Sequence, residues 1–75
     1  MMEIEERVLL LGIYKRKEDE SINDVLMILE DAGVFTYKEG KKKLKTLKEE
    51  GYIADDKLTV IGINKAKEIE QEFKL

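Results

Sequence analysis

One segment limits the fold more than any other. Residues 36 to 51 open on Thr-Tyr-Lys-Glu and close on Gly51. That is a capping box at one end and a left-handed stop at the other, so the spacing predicts a helix between them. Its clearest buried positions are Leu44 and Leu47, with Tyr37 and Gly40 leading into the same stripe at three- and four-residue spacing. Lys38, Lys41, Lys42, Lys45 and Lys48 fall on the other faces. A helix with so narrow an apolar stripe is anchored by its leucine pair and left protruding from a core that other segments build.

Three further segments supply that core. Residues 3 to 15 read as a helix: Ile4, Val8, Leu11 and then Tyr14 or Lys15 recur at three to four residues, and Glu3, Glu5 and Glu6 sit at its positive end. From Val8 to Tyr14 it is apolar nearly all round, broken only by Gly12, and such a helix needs more than one partner to cover it. In a short chain the second partner can be another copy. Residues 21 to 32 open with Ser-Ile-Asn-Asp, close to a capping box with Asp in place of Glu or Gln, and Gly33 supplies the stop. Val25, Leu26, Ile28 and Leu29 form the apolar face, and residues 20 to 22 are a candidate edge strand. Thr59 reads as the N-cap of a last helix over residues 60 to 73, with Ile63, Ala66, Ile69 or Glu70, and Phe73 on its inner face.

Between Gly51 and Thr59 the period changes. Tyr52-Ile53-Ala54 and Lys57-Leu58 read as two very short strands around an Asp55-Asp56 turn. The expected order is helix, candidate strand, helix, helix, two-stranded ribbon, helix: a mainly α domain with a small β-ribbon, one domain over residues 1–75 of the 75. Two helices joined by a few residues, the second followed by a hairpin, is the outline of a winged helix-turn-helix.

The stretch Leu44-Lys45-Thr46-Leu47-Lys48-Glu49-Glu50-Gly51-Tyr52-Ile53 resembles the recognition-helix end of winged-helix transcriptional regulators, including MarR-like and PadR-like families. Leu58-Thr59-Val60-Ile61-Gly62 resembles their Leu-Thr-x-x-Gly passage from the second wing strand into the final helix. With the capped helix at Ser21, the likeness covers nearly the whole chain. It implies a DNA-binding transcriptional regulator whose third helix enters the major groove of double-stranded DNA. By that resemblance Tyr37, Lys38, Lys41 and Lys42 meet base edges, Lys45 and Lys48 hold backbone phosphate, and Thr36 caps the helix and donates to a phosphate. Two departures stand out. Gly40 occupies a place where such proteins carry a buried Val or similar residue, which means either a close contact filled by a neighbour such as Phe35 or a pliable recognition helix. The wing tip carries Asp55 and Asp56 with Lys57 as the only nearby cation, so this wing is not assigned to the minor groove.

Charge distribution bears on the same segment. The net charge is -3, from 14 Lys and Arg against 17 Asp and Glu. Residues 36 to 48 nevertheless carry six lysines against Glu39 alone, while the flanking stretches are acidic. The bland alternative is a solvated face in a chain with 12 Lys and 12 Glu, a composition also seen in proteins of hot environments. Against it stands the imbalance: a merely solubilising helix alternates signs, as the last helix does with Lys65, Lys67, Glu68, Glu70 and Glu72. Tyr37 suits partial burial and base contact equally.

Composition narrows the rest. The chain has no Cys, His, Trp or Pro, which excludes disulfides, Cys or His metal sites and catalysis by thiol or imidazole. Ser21, Thr36 and Thr59 fit caps, Thr46 stands alone, and no glycine-rich phosphate loop occurs, so no enzyme, cofactor or metal is expected. No apolar run nears the roughly 20 residues of a membrane span, and no leader is evident, so a cytoplasmic place is expected. With 43% apolar residues, so short a chain buries only about 60% of its unfolded surface. A homodimer through the first and last helices, using Leu9, Ile13, Ile69 and Phe73, is therefore expected, with no small-molecule effector. The competing function is a winged-helix protein–protein interaction adaptor that ignores DNA, favoured by the acidic wing and the apolar first helix.

Overall fold

The computed structural model describes residues 2–74. Four helices, α1 (Ile4–Tyr14), α2 (Ile22–Asp31), α3 (Tyr37–Glu49) and α4 (Val60–Phe73), are joined by a ribbon of β1 (Ile53–Ala54) and β2 (Lys57–Leu58) between α3 and α4. The strands are antiparallel, with Ile53 opposite Leu58 and Ala54 opposite Lys57. Asp55 adopts a φ of 55° in the turn, a conformation that Asp tolerates better than most residues. The expected strand at residues 20 to 22 is not formed: Ser21 instead caps α2, its Oγ accepting from the Asp24 N–H at 3.1 Å. That hydroxyl and the Asp24 carboxylate, which accepts from the Ser21 N–H at 2.9 Å, hold the segment as a helix start.

α1 lies at the centre and packs on α2, α3 and α4 alike. This accounts for its nearly continuous apolar surface without a second chain. Leu9, Leu10 and Ile13 of α1 meet Ile22, Val25 and Leu26 of α2, Phe35 of the α2–α3 link, Leu47, Ile53, and Ala66 and Ile69 of α4 in one cluster. The expected dimer residues are corrected here. Leu9, Ile13 and Ile69 are 0%, 2% and 1% exposed, so they are used up inside one chain and offer nothing to a partner. Phe73 is 46% exposed and belongs to the outer surface of α4 rather than its inner face.

The helix ends follow their signals. Gly33 and Gly51 take φ of 80° and 86°. After Gly51 the Tyr52 N–H returns to the Leu47 carbonyl at 3.0 Å, closing α3 as a glycine-stopped helix does. The Leu-Thr-x-x-Gly passage has a physical cause. The Thr59 hydroxyl donates to the Gly51 carbonyl at 2.7 Å and accepts from the Gly62 N–H at 3.0 Å, so one side chain caps α4 and ties it to the end of α3. Gly62 lies against the Tyr52 carbonyl so closely that a Cβ there would stand 2.0 Å from the oxygen. No helix among the described residues is long and apolar enough to cross a membrane.

Candidate nucleic-acid interface

α3 contributes one fully buried apolar side chain, Leu47, and Leu44 is only partly buried against the cluster. Gly40 explains how so thin a stripe still docks tightly. A Cβ at this position would stand 2.6 Å from the Phe35 ring and 3.0 Å from a Leu26 methyl. The ring of Phe35 therefore occupies the place of the missing side chain, and of the two readings of Gly40 the close contact is the one observed.

The start of α3 is bonded to the rest of the protein. Thr36 Oγ1 accepts from the Glu39 N–H at 3.1 Å, and Glu39 Oε1 accepts from the Thr36 N–H at 2.9 Å. The Thr36 backbone bond, then the Thr36 hydroxyl, and more weakly Lys43 and Lys42, hold the Glu39 carboxyl below its ordinary pKa. A second carboxylate oxygen, Glu30 Oε2 of α2, accepts from the Tyr37 N–H at 2.9 Å. Three of the N–H groups that a helix start leaves without a helical partner are thus satisfied from inside the molecule, and the Glu30 bond fixes α3 relative to α2.

Tyr37 is half-buried against the core, and its hydroxyl donates to Asn23 Oδ1 of α2. The Lys41 ammonium lies 5.6 Å from the centre of its ring, within cation–π range. The structure therefore brings Tyr37 and Lys41 together and commits the phenol to α2. Asn23 and Glu30 had no local signal in the sequence. They are paired with residues 14 and 7 positions away, and only the α2–α3 packing reveals them.

The five lysines share one side of α3. At about 100° per residue, Lys45 and Lys38 lie at the centre of an arc, with Lys41 and Lys48 toward one edge and Lys42 at the other, together spanning about 120°. Among the described residues none of the five has a carboxylate within ion-pair distance, which holds also for the scattered Arg16, Lys17, Lys57 and Lys67, whereas Arg7, Lys15, Lys43 and Lys65 are paired. Lys43 is the instructive exception on α3. It turns toward α1, bonds Glu3 at 2.8 Å and lies 3.9 Å from Glu5, and the Glu3 bond raises its pKa. Glu49 falls on the lysine side one turn beyond Lys45 and marks where the cationic face ends.

The ribbon tip behaves differently. Asp55 and Asp56 are exposed, and an Arg16 guanidinium N–H donates to the Asp56 carbonyl at 2.9 Å, tying the tip back to the α1–α2 link. The hydroxyls of Ser21, Thr36 and Thr59 are caps, and Thr46 Oγ1 donates to the Lys42 carbonyl at 3.2 Å. Among the described residues no three carboxylates gather in a way that holds a metal ion.

Comparison with known proteins returns no match, whether against family models, curated sequences or solved structures.

Proposed function

We propose that this chain is a small DNA-binding protein of winged helix-turn-helix form, a transcriptional regulator that sets α3 into the major groove of double-stranded DNA. The observation that carries this reading is the row of five lysines with no carboxylate partner on a helix otherwise held by its inner face. Unpaired ammonium groups along one side of an α-helix match the phosphates that flank a groove of helix width. The element order and the five-residue link 32–36 between α2 and α3 support the same reading. Lys38, Lys41 and Lys42 face the groove and reach the phosphates along its edges, Lys45 and Lys48 meet phosphate further along the helix, and the Thr36 hydroxyl keeps its proton for a phosphate oxygen. Tyr37 acts as a platform for Lys41. Five neutralised phosphates imply a log–log salt slope of about -4.5.

A gel-shift titration tests the reading: a random duplex is retarded at low salt, and the double change Lys41→Glu, Lys42→Glu abolishes the shift. Duplex left free by the unaltered protein contradicts it. The adaptor reading is favoured by a different observation. Val60 and Ile61 are 75% and 61% exposed, and Leu58 and Ile63, which flank them in the chain, line an open groove of about 410 Å³ with the end of α1. A homodimer would use what α1 and α4 leave outside the core, Ile4, Val60, Ile61 and Phe73. Sedimentation as an 8.7 kDa species at high concentration removes it.

A further inference from the structure

We infer that the α3 face grips duplex DNA as a polyanion and discriminates little between base sequences. This rests on the DNA reading above and deepens it. Base edges are read near the start of a recognition helix by side chains that present directional donors and acceptors, and on α3 those groups are already engaged. The Glu39 carboxylate is held by the Thr36 N–H, and the Thr36 oxygen by the Glu39 N–H. The Tyr37 phenol donates to Asn23 and the Tyr37 N–H to Glu30. What remains facing outward in the first two turns is Lys38, Lys41 and Lys42.

An ammonium group is a compact point charge on a flexible stem and lacks the planar fork with which arginine grips guanine. No Arg, Asn or Gln lies on α3 at all, so the side chains that most often make two-pronged contacts with guanine or adenine are missing from the face. Lys41 is further restrained by the Tyr37 ring beneath it. The acidic ribbon tip adds no minor-groove reader. The bound species is therefore double-stranded DNA of any sequence, and occupancy follows ionic strength.

Competition binding tests this on the full chain. A labelled random duplex is displaced by unlabelled duplexes made only of A·T pairs, only of G·C pairs, and of mixed sequence, each across a salt series. The expected result is that the three compete within about fivefold, the least that one two-pronged base contact contributes, and give the same salt slope. Selection from a random pool is expected to return no enriched sequence. A selected sequence bound about a hundredfold more tightly than the pool overturns the inference and leaves the DNA reading standing. Failure to bind any duplex at low salt overturns both.

Discussion

α3 and α4 are both rich in charge, eight side chains on the first and five on the second, and use it in opposite ways. The carboxylates of α4 all meet cations: Glu72 meets Arg7, Glu70 meets Lys15, and Glu68 meets Lys65 of the same helix. The lysines of α3 point outward without a partner, with Lys43 alone turned back to α1. A charged helix whose charges are cancelled keeps a protein soluble. One whose charges are left unpaired, in a chain of net charge -3, concentrates positive potential where a polyanion can approach.

The contrast breaks most visibly under charge reversal. Lys41→Glu with Lys42→Glu is expected to weaken duplex binding about a thousandfold, ~4 kcal/mol. Lys65→Glu with Lys67→Glu changes the net charge equally and is expected to cost about threefold, through long-range potential alone. Fluorescence anisotropy at fixed salt compares the two. Equal losses would show that total charge, rather than its placement on α3, controls binding.

The buried faces differ as well, and thermal unfolding sharpens that. At Gly62 of α4 an added methyl group meets the Tyr52 backbone carbonyl, which cannot turn aside, and at Gly40 of α3 it meets the ring of Phe35, which can shift. Gly62→Ala is expected to destabilise by about 3 kcal/mol and Gly40→Ala by about 1 kcal/mol, after the helix-propensity gain of alanine is counted. The reverse order would mean that α3 is docked more rigidly than α4.

A finer pair lies within α3 itself. Lys43→Ala is expected to lower stability slightly, through loss of its ion pairs with Glu3 and Glu5, and to leave the salt dependence of duplex binding unchanged. Acidification produces the smallest effect. Glu39 titrates below its ordinary range when folded, because the folded state bonds its ionised form. Its contribution is therefore present at neutral pH and lost as pH falls through the folded value. The stability difference between the unaltered protein and Glu39→Ala is expected to shrink on acidification below the usual glutamate range, read by urea unfolding at successive pH values.

Much of the fold was legible because its signals are local. Ser21, Thr36 and Thr59 cap helices where their spacing places them, and Gly33 and Gly51 end two of them. The short ribbon around Asp55 and Asp56 follows from the same kind of signal. What depended on distant partners was not legible. The apolar girth of α1 suggested a second chain, yet three helices of the same chain cover it. Residues 20 to 22, a candidate edge strand, yield to the Ser21 cap. In the candidate interface, periodicity separated the five outward lysines from Leu44 and Leu47. It could not show that the Tyr37 hydroxyl is taken by Asn23, or that Glu3 takes Lys43.

The most direct measurement is the salt slope of duplex binding for the unaltered protein and for Lys42→Ala. A linear log–log plot with a slope of about -4.5, made shallower by about 0.9 when Lys42 is removed, is the expected result. A slope near zero, or one that Lys42→Ala leaves as it was, contradicts the assignment of α3 as the surface that meets DNA.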